Sequence, residues 1–242
     1  MTGLPAGPRV LDDLALAVDP DEALRFQGYQ PDTPRPAEVL ALLEEALALG
    51  ARLARPRAVV TWLPAGARAA DTLEVAGEPV TIPGVAAAWG EVEAVAAAVC
   101  SIGGAVEARV AALWEARELP LALMLDSVAS GTVESLAEHV NDLLCHEGLA
   151  AGLRVTNRLS PGYGRWPVEA QRWLFARCPG DPIDVRLTDA CLMTPLKSIS
   201  LIVGAGVSAR VDHYFSQCAR CWMPACAYRR TPPRRKLVGR PP

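Results

Sequence analysis

The sequence predicts an α+β (mixed α/β) fold: a single domain in which a twisted, largely antiparallel central sheet is flanked by helices. Three observations point there. At 242 residues the chain is long enough for one sizeable core and too short to demand two. Helix-like and strand-like segments interleave irregularly along it. Thr72 to Val75 and Pro79 to Ile82, split by Ala76-Gly-Glu, read as a hairpin. The domain is expected over residues 1–210, with a Cys-rich segment and a disordered basic tail over residues 211–242.

Leu11 to Val18 is a short apolar segment. Asp19-Pro-Asp-Glu then supplies a cap, a first-turn proline and an acidic first turn for a helix through Phe26, ended by Gly28-Tyr29. Pro36 to Ala54 is a strong helix, with Val39, Leu40, Leu42, Leu43, Ala46, Leu47 and Leu53 at helical spacing. Arg57 to Leu63 reads as a strand. The alanines of Ala94 to Ile102 suit either a buried strand or a helix; Val95 to Ser101 is taken as a strand. It leaves through Gly103-Gly104 into a helix from about Val106 to Ala116. Pro120 marks a break, and Leu121 to Cys145 is one long helix or two joined near Ser130-Gly131. Leu153 to Asn157 is a strand. Pro167 opens a helix running to about Arg177, stopped by Pro179-Gly180. Ile183 to Leu187 and Ser198 to Val203 are expected to complete the sheet.

Composition narrows the classes. The chain is 51% hydrophobic, much of it alanine, and only 5% aromatic, so it is an Ala-rich globular protein. The longest apolar region, Val85 to Cys100, is interrupted by Glu91 and Glu93, and nothing reaches the length of a membrane span. Met1-Thr-Gly-Leu-Pro lacks the basic and apolar regions of a secretory signal, so a cytoplasmic location is expected. The net charge of −3 conceals six basic residues and no acidic one from Arg229 to Pro242. Such a tail could touch nucleic acid or an acidic partner. The reading adopted is a solvated Pro/Arg end, with no nucleic-acid partner.

The chemistry concentrates between Arg154 and Ser200. Arg158-Leu-Ser-Pro-Gly-Tyr-Gly-Arg-Trp-Pro167 reads Arg-x3-Gly-Tyr-x3-Pro. An arginine can clamp a carboxylate bidentately. Gly162 lets backbone approach a ligand closely, and Tyr163 offers a ring face or a hydroxyl. Pro167, placed at the first helical position, would open a helix whose dipole favours an anion. Upstream, Glu134 and Glu138 lie one turn apart on one helix face. Asp126 and Ser130 precede them with no role assigned.

With Leu187-Thr188-Asp189, Met193, Pro195, Ser198 and Ser200 following, the chain resembles the S-adenosylmethionine-binding activation domain of cobalamin-dependent methionine synthase. More loosely it resembles the stand-alone activation subunits of split methionine synthases. The resemblance implies that Arg158, Ser160, Gly162 and Tyr163 bind S-adenosylmethionine. Glu138, in a Leu-Ala-Glu setting, would contact the ligand's amino group. It further implies a cobalamin-binding partner component, reductive methylation of cob(II)alamin on that partner, and an electron donor such as flavodoxin or ferredoxin. The fused enzyme also holds the ligand with an acidic residue in an N-terminal segment, and no counterpart is evident here. The aromatic residue that it supplies after the Ser-x-Ser strand has only a distant candidate, Tyr214. The Asp-x-His-x-x-Gly cobalamin motif is absent, so the chain is not expected to make methionine alone.

Seven cysteines in a reducing compartment argue against a disulfide framework. Cys100, Cys145, Cys178 and Cys191 stand in apolar settings and read as buried small hydrophobes. Cys218-x2-Cys221-x4-Cys226 is different, because three thiols within nine residues can converge on a metal. An iron–sulfur cluster, a zinc completed by His213 or Cys191, and a redox dithiol all remain open. Gly204-Ala-Gly206-Val-Ser-Ala209 imitates a dinucleotide fingerprint, but too little chain follows it; a glycine-rich strand exit is expected. There is no nucleophile elbow, P-loop or His-Glu-x-x-His, so hydrolase and kinase readings have no support. Two rivals stand beside the activation subunit: a metal- or cluster-carrying electron-transfer or assembly protein, and a non-catalytic interaction subunit.

Overall fold

A computed structural model describes residues 3–211 except 13, 15, 17, 31 and 32. The centre is a seven-stranded antiparallel sheet. Its strands are β1 (Arg9–Leu11), β2 (Arg57–Arg68), β3 (Thr72–Val75), β4 (Glu78–Thr81), β5 (Ala94–Ser101), β6 (Arg154–Val155) and β9 (Ser198–Gly206). They run in the order β4-β3-β2-β5-β9-β6, and β1 shares the β3 side of β2 by pairing with its first half. β5 is central, hydrogen-bonded over its whole length to β2 and to β9.

Period-two alternation sorts these strands into two cores. Ala58, Val60 and Trp62 of β2, Ala94, Ala96, Ala98 and Cys100 of β5, and Leu201, Val203 and Ala205 of β9 belong to one cluster. Against them lie α1 (Pro20–Phe26), α2 (Ala37–Leu53), α4 (Ala105–Glu115) and α5 (Leu119–Ala150). Val59, Val95, Ala97, Val99 and Ile202 face the other way. They meet Trp89 of α3 (Val85–Trp89), Trp166, and Leu174 of α6 (Gln171–Arg177). With both faces covered, β5 is buried throughout and reads as a continuous apolar run.

Several elements form as their residues require. Asp19 caps α1 by accepting from the Asp21 N–H at 2.9 Å, with Pro20 in the first turn. Ala76 and Gly77 take positive φ values of 53° and 80°, which suits a tight turn between β3 and β4. α5 is unbroken for 32 residues, about 48 Å. Pro120 lies in its first turn, and Gly131 does not divide it. That glycine instead admits the chain entering α1, since a Cβ there would stand 3.3 Å from Val18 Cγ1 and 3.7 Å from Glu22 Cγ.

Three expectations need correction. Ile183 to Leu187 does not join the sheet. Arg186–Leu187 (β7) pairs only with Met193–Thr194 (β8), because β5 occupies one edge of β9 while β6 and Leu159 occupy the other. Pro167 is the cap rather than the first residue of the helical run, which opens as a 3₁₀ turn, Val168–Ala170, and continues directly as α6 to Arg177, the end expected. β9 runs past Val203, so Gly204 lies inside the strand, while Gly206 is its last residue. A Cβ on Gly204 would come within 2.7 Å of Val92 and 2.8 Å of Trp89, and one on Gly206 within 2.6 Å of the Glu91 carbonyl. These glycines admit the chain at residues 89–93.

Cys100, Cys178 and Cys191 are buried and Cys145 is half-buried, as small hydrophobes should be. Burial pushes the Cys100 and Cys178 thiols from 9.0 up to about 12, because desolvation disfavours the thiolate. A thiol whose pKa is higher folded than unfolded stabilises fully below the unfolded value. That contribution is lost as pH rises from 9.0 towards 12. Denaturant unfolding should therefore lose stability in that window, and a Cys100→Ala/Cys178→Ala variant should show a shallower loss.

Candidate functional site

A candidate site gathers where α1, α5 and the chain after β6 meet. α5 presents Asp126, Ser130, Glu134 and Glu138 on successive turns of one face. Gly131 lets α1 approach that face, its Cβ position lying 3.3 Å from Val18 and 3.7 Å from Glu22 Cγ. The result is an open cleft of about 220 Å³ lined by Asp19, Glu22, Glu134, Ser135 and Glu138. It is acidic, and its acidic side chains come from two helices distant in sequence.

Arg158 supplies a cation at the edge of this cleft. Beyond β6 the chain keeps irregular register with β9. The Thr156 N–H donates to the Gly204 carbonyl at 2.8 Å, and Leu159 and Ile202 exchange a pair of hydrogen bonds. Arg158 is thereby set opposite α5, and its Nη2 donates to Glu134 Oε2 at 2.8 Å. The two side chains are only 18% and 22% exposed, so solvent screens the pair weakly. The guanidinium also lies near enough to the Cys100 thiol to oppose, in part, the upward push of burial. Within the cleft, Glu22 is paired with Arg25 at 2.5 Å and Asp19 caps α1.

The loop beyond Arg158 is a compact double turn. The Gly162 N–H donates to the Trp166 carbonyl at 2.9 Å, the Tyr163 N–H to Ser160, and the Trp166 N–H to Tyr163. Gly162 has φ +88°, a left-handed backbone that glycine adopts without strain. Ser160 is buried, whereas Tyr163 is 55% exposed. Trp166 anchors the loop by packing into the core on the opposite face of the sheet from α5.

Asp126 and Ser130 acquire a partner that their sequence positions do not reveal. Lys197 Nζ lies 2.8 Å from Asp126 Oδ1 and donates to Ser130 Oγ at 2.9 Å. The Lys197 backbone N–H donates to Glu107. Ser198 bonds Ser101 across the β5–β9 register, and Ser200 bonds Gln171. These serines therefore brace the strand.

The structure thus brings Arg158, Glu134 and Glu138 to one region and places Gly162 and Tyr163 on the adjoining loop. Asp19 and Glu22 join the cleft and were missed as site residues. Their sequence context shows only a helix cap and first turn, and their role depends on α1 docking at Gly131. Cys218, Cys221 and Cys226, together with His213 and Tyr214, lie outside the described residues. Among the described residues, no group of His, Cys, Asp or Glu side chains is arranged to hold a metal ion, and no helix is long and apolar enough to cross a membrane.

Fold and site together define an α+β domain with an acidic cleft edged by a fixed arginine. A crystal structure of the MetH reactivation domain bound to AdoHcy has this fold, with a TM-score of 0.62 at 14% identity over 88% of this chain and 81% of that one. No protein-family model matches the chain, nor does any curated protein.

The α1–α5 contact that shapes the cleft is tight, so Gly131→Leu should force the helices apart. Overpacking of this kind costs about 1–3 kcal/mol, which denaturant unfolding of the variant against wild type would register.

Proposed function

We propose that this chain binds S-adenosylmethionine in the cleft between α1, α5 and the Arg158 loop. It would serve as the activation component of a split cobalamin-dependent methionine synthase, in methionine biosynthesis. The carrying observation is the Arg158–Glu134 pair at the edge of the acidic cleft, on a fold shared with the MetH reactivation domain. AdoHcy, which that domain binds, is S-adenosylmethionine without its transferable methyl group.

The chemistry of the cleft matches the ligand's charges. S-adenosylmethionine carries a carboxylate, an ammonium and a sulfonium. Arg158 would take the carboxylate as a charge-assisted pair. Glu138 would take the ammonium, and Asp19 and Glu22 would add to the negative potential that favours the cationic end. Gly162 would let the loop backbone come close, with Ser160 shaping it, and Tyr163 would lay its exposed ring along the adenosine. No residue need act as acid or base. The protein's part is to hold the sulfonium methyl in line and exclude water while a partner closes over it.

That partner would be the cobalamin-binding component, whose cofactor supplies a strongly nucleophilic reduced cobalt. Reductive methylation also requires an electron, from flavodoxin or ferredoxin, or from an iron–sulfur cluster held by Cys218, Cys221 and Cys226. Those three cysteines could alternatively hold zinc.

Calorimetric titration tests the reading. Wild type should bind S-adenosylmethionine, and Arg158→Ala should bind it about 10- to 100-fold more weakly, the range for losing a charged hydrogen-bonding partner. A folded wild-type protein that takes up no ligand refutes the proposal. Iron and zinc analysis of anaerobically purified protein, against a Cys218→Ser/Cys221→Ser/Cys226→Ser variant, should show metal lost with the thiols. Equal metal content in both would remove the tail as a metal carrier.

A further inference from the structure

The contacts made by the chain from Gly3 to Gln27 fall in reverse order along α5. Gly3 sits just past the helix end, where a Cβ would stand 3.2 Å from Ala151 Cβ. Arg9 meets Glu147, Val18 meets Gly131, and Gln27 Nε2 donates to the Leu123 carbonyl at 2.9 Å. Leu4 is buried in the helical core, and Leu11, Leu14 and Leu16 pack against it. This N-terminal strap ends in α1, whose cap Asp19 and first-turn Glu22 line the cleft. One wall of the cleft therefore belongs to the strap and the other to α5.

The strap has little structure of its own. β1 is three residues long and α1 seven. Elements so short open locally more readily than the sheet and the long helix beneath them. A polar contact ties the start of the strap to the body of the fold. Arg9 Nη2 lies 2.7 Å from Glu147 Oε1 and donates to Oε2 at 2.9 Å. The same Oε2 accepts from the Trp62 indole N–H at 2.8 Å, and Trp62 is buried on β2. The Glu147 side chain is 14% exposed and that of Arg9 32%, so solvent screens the pair only in part. A single carboxylate thus joins α5, β2 and β1.

We infer that Arg9 and Glu147 are positioning residues for the cleft: they latch the N-terminal strap, and the seated strap sets α1 against α5. Glu147 lies nine residues beyond Glu138, about 14 Å along the helix, so the latch acts through α1 rather than by contact with the ligand. A ligand held between α1 and α5 binds the seated strap alone, so latch and ligand support each other reciprocally. That coupling rests on the S-adenosylmethionine reading above, whereas the latch does not.

Hydrogen exchange on the full chain without ligand tests the latch. Arg9→Gln should speed amide exchange about two- to tenfold in β1 and equally in α1, while α2 and β5 stay unchanged. Arg9→Lys, which keeps a charge within reach of Glu147, should restore most of the protection. Calorimetry with S-adenosylmethionine then tests the coupling. Arg9→Gln and Glu147→Gln should each weaken binding about two- to tenfold, and the double variant should bind no worse than either. Should Glu147→Gln melt early through its bond to Trp62, the two Arg9 variants carry the comparison alone. Faster exchange confined to β1, with α1 unmoved, would overturn the inference. So would an equal rise in α2 and β5, which marks general destabilisation, or full ligand affinity in a variant whose α1 is released. A wild type that takes up no ligand, with α1 still released by Arg9→Gln, would refute the S-adenosylmethionine reading and leave the latch standing.

Discussion

The structure depends on how closely a long helix can approach the middle of the sheet. β5 offers α5 a face of Ala94, Ala96, Ala98 and Cys100, with Ala58 and Ala205 on the flanking strands. Such small side chains leave room for larger ones on the helix, and Leu125, Val128, Leu136, Val140 and Leu144 fill it. Dispersion and hydrophobic burial over this contact fix α5 across the sheet, and the polar stripe of α5 is fixed with it. Glu134 then meets Arg158, and Asp126 and Ser130 meet Lys197, because the helix has no alternative seat.

On this platform the cleft is assembled from parts that are weak alone. α1 is seven residues long and could not persist in isolation. It survives by packing Ala23 and Leu24 into the helical core and by passing over Gly131. Docking brings its acidic first turn against the carboxylates of α5. The like charges repel, and Arg25 and Arg158 relieve part of that repulsion. A cation-bearing amino acid would relieve more.

Much of this was legible in the sequence, for physical reasons. The hairpin residues Ala76 and Gly77, the Asp19 cap and the helical spacing of Val39 to Leu53 are local signals, and local signals survive into the fold. The alanine run of β5 was ambiguous, since alanine suits a helix or a strand buried on both faces; its pairing partners decided the matter. What could not be read was long-range. Ile183 to Leu187 looks like a sheet strand, but both edges of β9 are taken. Arg158 stood out within its motif, yet its bond to Glu134 spans 24 positions and depends on α5 being seated first. Asp19 and Glu22 carried only the mark of a helix start.

The glycines at 204 and 206 have a consequence for how the family of chains sharing this architecture can drift. Each sits where a neighbouring segment passes too near for any side chain, Trp89 and Val92 over one and the Glu91 backbone over the other. Evolution cannot enlarge either position alone. A bigger residue at 204 demands a smaller one at 89 or 92, whereas the close approach at 206 is backbone to backbone and admits no compensating swap. Related sequences should therefore carry correlated changes at the first site and near-invariance at the second, even where overall similarity has faded.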